Sequence, residues 1–182
     1  MSEGATSYNI QKTKKPKKLP LAISEDDFVK IIKSTKKEEH KLAFLLGFGS
    51  GLRISEITNL EKRDINIEER KIFIRQGKGS KDRITPLPKG FKNKHLNILP
   101  LKIGVRALQL AFTNACEVSG VKKEKPEVHF HSLRHGFGSQ LAKKGVPIHH
   151  IRTLMGHSNI STTNVYLELN PTEALTKYEE LF

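Results

Sequence analysis

The sequence predicts an α+β fold, mostly helical with one small three-stranded antiparallel sheet. Apolar residues recur every three or four positions from residue 24 to 60 and again from 105 to 154, whereas between 65 and 87 the period falls to two. The length, 182 residues with 36% hydrophobic content and nine phenylalanines, suits one well-filled domain. That domain is expected over residues 21–170, after a basic arm at 1–20 and before a tail helix at 171–182.

The arm contains QKTKKPKKLP, with two prolines and no apolar period, so it reads as an extended linker. Its Lys14, Lys15, Lys17 and Lys18 are candidate phosphate contacts. Ser24, with Asp27 three residues later, forms a capping-box pair, and Phe28, Ile31 and Ile32 give the first helix its apolar face. Residues 42–48 are nearly all apolar, and Gly49 and Gly51 break the helix they form. A further helix has apolar positions Ile54, Ile57 and Leu60, which places Arg53 at its start beside a glycine-rich turn. Three strands follow, marked by Ile65 and Ile67, by Ile72 and Ile74, and by Ile84 and Leu87, with turns at 68–70 and 77–80. The second turn, GKGSK, holds Lys78 and Lys81 on a hairpin away from the core. Helices resume over Val105–Val118, which buries Cys116; over 133–141, closed by Gly145; and from Pro147 through Ile151 and Leu154. A last helix begins near Ser161 or Thr162 and carries Tyr166, and the tail after Pro171 has the apolar face Leu175, Tyr178, Leu181.

Charge narrows the function. Thirty-two Lys and Arg against nineteen Asp and Glu leave a net charge of +13, which calls for a polyanionic partner, nucleic acid first. No apolar run is long enough to span a bilayer, and the first residues lack the apolar core of a signal peptide. One cysteine excludes an internal disulfide and a cysteine-rich zinc site, so a cytoplasmic protein without membrane contact is expected.

The chemistry gathers in two stretches, HSLRHGFGSQL at 131–141 and LMGHSNISTTNVYLEL at 154–169. His131 and His135 have the spacing of helical zinc ligands, but Ser132 stands where a glutamate base would follow, and Arg134 would set a fixed positive charge beside the cation. A phosphate reading fits better. A phosphodiester under attack gathers negative charge on its non-bridging oxygens, which guanidinium groups match bidentately. Cleaving DNA without a metal needs a nucleophile, a proton donor for the leaving 5′ oxygen, and positive charge in place of magnesium; this sequence has residues for all three.

In these blocks and their order the chain resembles the catalytic domain of the tyrosine recombinase family (phage integrase and Xer type). GLRISEITNL is similar to the block bearing its first catalytic arginine, here Arg53; GKGSKDRITPLP to the hairpin bearing its lysine, here Lys78; HSLRHGF to its His-x-x-Arg box, here His131 and Arg134; and LMGHSNISTTNVY to its last block, here His157 and Tyr166. The resemblance covers residues 20–169 and implies a site-specific DNA recombinase needing neither metal nor ATP nor another cofactor. Tyr166 would attack the scissile phosphate to give a 3′-phosphotyrosyl link. Arg53 and Arg134 would clamp its oxygens, Lys78 would protonate the leaving hydroxyl with Lys81 as rival, and His131 and His157 would donate hydrogen bonds or assist proton transfer. Lys81, in its other role, and Arg83 would contact backbone phosphate, and Glu56 and His135 would orient the groups one turn before them. The implied partners are double-stranded DNA and further copies of the chain, as a tetramer on DNA, with residues 171–182 docking either on a neighbour or on their own body.

Gly136 and Gly138 depart from the family, in which Thr and Ala are common there. Each glycine costs a helix about 1 kcal/mol relative to alanine, so the helix is either soft or closely approached by another backbone. An amino-terminal DNA-clamping domain, usual in the family, is not part of this sequence, which leaves both a fragment and a minimal enzyme open. Two other functions stay in view: a type IB topoisomerase-like relaxase, and a DNA-binding regulator that has lost activity.

Overall fold

The computed structural model describes residues 21–75 and 82–156. The expected arm lysines, the hairpin turn with Lys78 and Lys81, and His157, Tyr166 and the tail lie outside the described residues. The described chain runs α1 (Glu25–Ser34), α2 (Glu38–Ser50), α3 (Ile54–Thr58), β1 (Ile65–Asn66), β2 (Lys71–Ile74), β3 (Arg83–Pro86), α4 (Val105–Val118), α5 (Val121–Glu124), α6 (His131–Lys143) and α7 (Ile148–Met155). The α+β expectation holds, and no described helix is long and apolar enough to cross a membrane.

α1 starts as its sequence requires: the Ser24 hydroxyl accepts from the Asp27 N–H at 3.1 Å, and the Asp27 carboxylate accepts from the Ser24 N–H at 3.0 Å. α2 is apolar on most sides because it is buried on most sides, with Leu42, Ala43, Phe44 and Leu46 all 1% exposed or less. It lies along α6, and the rings of Phe44, Phe112 and Phe130 meet edge to face at centroid distances of 5.3–6.0 Å, fastening α2 to α4 and to the entry of α6. Cys116 is buried in this core, and its burial pushes the thiol up to about 12, so it stays protonated.

The sheet has the order β1-β2-β3, antiparallel throughout. Its first and third strands differ in detail from the expectation. β1 ends at Asn66, so Ile67 opens the turn, where Arg70 takes a positive φ of 55°. In β3 the inward residue is Thr85 and not Ile84: Thr85 is 0% exposed and its hydroxyl donates to the Ser50 carbonyl at 2.7 Å, while Ile84 is 47% exposed opposite Phe73. Ile84 and Leu87 are three apart, so both cannot point to one side of a pleated strand.

Gly136 in α6 has a packing cause. A Cβ on Gly136 would lie 2.5 Å from the Ile23 carbonyl oxygen and 2.8 Å from the Phe48 ring. The segment entering α1 therefore runs directly against α6, and the Ile23 N–H donates to the Ser132 carbonyl at 3.2 Å. Lys125 pins that segment at the Ala22 carbonyl, 3.4 Å, and the first turn of α1 through the Asp27 carboxylate, so the helix that carries His131 and Arg134 is held from outside as well as by α2.

Candidate active site

Arg53 is the N-cap of α3, set there by the left-handed Gly51 that ends α2. Glu56, in the first turn, bends back: one carboxylate oxygen accepts from the Arg53 backbone N–H at 2.7 Å, the other from Arg53 Nη1 at 2.8 Å. Arg83, at the start of β3, reaches the same carboxylate with both terminal nitrogens, 2.7 Å each, in a bidentate pair. Burial alone would raise the Glu56 pKa, but the hydrogen bonds from Arg83 and from the Arg53 N–H outweigh it and hold the carboxyl at about 2, against an ordinary 4.5.

The second convergence is at the end of α7. Its last carbonyls each accept from a different arginine: Leu154 from Arg83 Nε at 3.1 Å, Met155 from Arg134 Nη2, and Gly156 from Arg53 Nη2 at 2.9 Å. The carbonyls closing a helix are unpaired within it and carry the negative end of its dipole, so three cations are well placed there. Gly156 makes the turn possible with φ +61°, and a Cβ on it would stand 2.7 Å from Arg83 Cδ. Arg134 Nη1 also donates to the Gly51 carbonyl, so Arg134 ties the turn before α3 to the end of α7 while only 1% exposed.

His131 opens α6 and keeps an exposed edge. Its ring stands perpendicular to that of His135 at 4.7 Å and is stacked 6.4 Å from that of His129. Desolvation among these neighbours, then the charges of Arg134, His129 and Arg53, push the His131 pKa down. Burial, then the charges of His131, His129 and Arg134, bring His135 to about 4. Both rings are therefore uncharged at neutral pH, each with one N–H to donate and one nitrogen to accept. The Arg53 side chain, 20% exposed, opens on a cleft of about 480 Å³ lined also by Asn59 and by the ion pairs Arg63–Glu61 and Arg75–Asp64.

The structure thus brings Arg53, Glu56, His131, Arg134 and His135 together, on α3 and α6. Arg83 is placed otherwise than its expected contact with DNA. Its side chain is 7% exposed and its guanidinium is committed to Glu56 and Leu154, because the start of β3 packs against α7. The sequence reading missed the α7 carbonyls; a glycine closing an apolar helix, as in LMGH, is the signal that marks such a turn.

Three guanidinium groups against one carboxylate leave this corner positive, the requirement for meeting a phosphodiester. A family profile described as the phage integrase family matches residues 22–101 and 101–173, nearly the whole chain and every block that forms this corner. The chain belongs to the phage integrase family. Among its relatives, the tyrosine recombinase XerA of Thermococcus kodakarensis is 32% identical over 192 residues, covering 94% of this chain and 66% of that protein. The same-named protein of Pyrococcus horikoshii is 34% identical over 173 residues, covering 88% of this chain and 61% of its own length. This integrase-family chain therefore spans less than two thirds of these relatives. In fold it is similar to the crystal structure of XerA recombinase, with a TM-score of 0.72 and 24% identity over 93% of this chain and 66% of that one. It is likewise similar to XerH site-specific recombinase bound to its difH substrate after cleavage, TM-score 0.69 with 21% identity over 89% and 54%.

Proposed function

We propose that this chain cleaves and rejoins double-stranded DNA at specific sites through a 3′-phosphotyrosyl intermediate, as the catalytic part of a recombinase. The observation that carries the reading is the convergence of Arg53 and Arg134 on the adjacent Gly156 and Met155 carbonyls, with His131 one turn before Arg134 on α6, in a chain whose family match also includes the Lys78 and Tyr166 blocks. In the proposed step the Tyr166 oxygen attacks the scissile phosphorus as the bond to the 5′ oxygen breaks. The leaving oxygen takes a proton from the Lys78 ammonium, and the tyrosine proton passes to a histidine, His131 or His157. Arg53 and Arg134 offset the charge that builds on the non-bridging oxygens. Ligation reverses the step with a new 5′ hydroxyl, so neither ATP nor a metal is required. The bonds of Arg53 to Glu56 and Gly156 use two of its five N–H groups, in keeping with a clamp held from behind.

The assembly proposed is a tetramer on two duplexes, with residues 171–182 docking on a neighbouring copy. A plasmid assay in EDTA tests the function. A duplex selected from random sequences by affinity for the protein is cloned into one supercoiled plasmid, and a second plasmid lacks it. The reading expects exchange between two copies of the selected site and an unchanged second plasmid. Relaxation of both plasmids alike points to a type IB topoisomerase-like relaxase, and binding of the site without exchange or nicking points to a regulator.

A further inference from the structure

We propose that Arg83 is a positioning residue for Arg53, acting through both groups that hold the Arg53 guanidinium. Arg53 is held at two points, Nη1 on Glu56 Oε1 at 2.8 Å and Nη2 on the Gly156 carbonyl at 2.9 Å. Arg83 grips each of these supports. Its terminal nitrogens take both oxygens of Glu56 at 2.7 Å, and its Nε takes the Leu154 carbonyl at 3.1 Å, two residues before Gly156. Its Cδ also occupies the space where a Gly156 side chain would stand, so the left-handed turn that presents the Gly156 carbonyl is shaped around Arg83.

The arrangement explains why an arginine is needed. A carboxylate gripped on both oxygens by a fork cannot rotate, so the oxygen offered to Arg53 is fixed in direction. A lysine could supply the charge but only one nitrogen, in place of the three that Arg83 spreads over the two Glu56 oxygens and the Leu154 carbonyl. All three guanidinium nitrogens of Arg83 donate to Glu56 or Leu154, so Arg83 is not disposed to meet a phosphate. Its effect on the reaction passes through the aim of Arg53, and the proposal rests on the reading of Arg53 as the phosphate clamp.

Full-length wild type, Arg83→Gln, Arg83→Lys and Arg53→Ala are compared in single-turnover cleavage and in DNA binding across a salt series. They are tested on a site duplex with an ordinary scissile phosphate and on one whose scissile phosphate carries a methyl group in place of a non-bridging oxygen. The methylphosphonate is uncharged and removes the demand that Arg53 meets. Arg83→Gln is expected to slow cleavage of the ordinary duplex by about 10–100-fold, the scale of a small misplacement of a catalytic group. Its binding and salt slope should be unchanged, and its deficit should shrink on the methylphosphonate as that of Arg53→Ala does. Arg83→Lys should show the same pattern more weakly, and it answers the question if the glutamine variant does not fold. Weaker binding with a salt slope shallower by about one would mark a phosphate contact and overturn the proposal. So would a deficit that stays constant on the methylphosphonate while that of Arg53→Ala shrinks, an outcome that leaves the clamp reading intact. If neither deficit shrinks, the clamp reading fails and the proposal falls with it.

Discussion

Arg134→Ala is expected to slow strand cleavage by about 100–1,000-fold and to lower the melting temperature on the order of 10 °C. The stability loss follows from burial. Arg134 is 1% exposed and donates to the Gly51 and Met155 carbonyls, and a buried acceptor left without its donor costs about 1–3 kcal/mol. The turn before α3 and the end of α7 would also lose the side chain that joins them. The catalytic loss has a separate origin, since removing one donor to the developing charge costs about 100–1,000-fold in rate. Arg134→Lys separates the two. It keeps the charge but has one nitrogen where Arg134 has two, each aimed at a separate carbonyl, so it should melt between wild type and Arg134→Ala and still cleave poorly. Thermal melts, with single-turnover cleavage measured below both midpoints, provide the check. An alanine variant that melts with wild type would mean that the two carbonyls do not depend on Arg134.

Glu56 makes the second prediction, in acid. Its carboxyl is held at about 2 in the folded chain, against an ordinary 4.5. A depressed folded pKa stabilises the fold above the unfolded value, and that contribution is lost as pH falls from about 4.5 through about 2. The shift corresponds to roughly 3 kcal/mol, and the Glu56 side chain is only 9% exposed, so solvent screens little of it. Glu56→Gln should therefore lose about 3–5 kcal/mol at pH 7, because it leaves the Arg53 and Arg83 guanidiniums without their counter-charge. The gap between variant and wild type should narrow steadily below pH 4.5. Urea melts of both proteins at pH 7, 4.5 and 3 measure it, and a gap that stays constant across these pH values would contradict the assignment.

Much of the fold is legible in local patterns. The capping box at Ser24, the apolar run of α2, the alternation in β2, the glycine stop after α6 and the proline start of α7 each arise from a few adjacent residues, and the elements stand where those patterns put them. What could not be read is set by partners distant in sequence. Gly136 is explained by the Ile23 carbonyl and the Phe48 ring, and Thr85 faces inward because the Ser50 carbonyl awaits its hydroxyl. The site divides in the same way. The spacing of His131, Arg134 and His135 on one helix is a local fact, whereas the burial of Arg83 depends on α7 lying over β3, which no spacing encodes. An arginine beside lysines in a basic hairpin reads as a phosphate contact until a buried glutamate is found at 2.7 Å.

In the proposed strand cleavage Tyr166 is the nucleophile and no metal takes part. This is tested most directly by incubating the protein in EDTA with its selected site, nicked so that the cleaved 5′ fragment diffuses away, and resolving the products on a denaturing gel. Wild type should give a covalent protein–DNA band, linked at the 3′ phosphate to a peptide containing Tyr166, and Tyr166→Phe should give none while binding the same duplex. A band that persists in Tyr166→Phe, or no band from wild type at concentrations that saturate the site, would contradict the account.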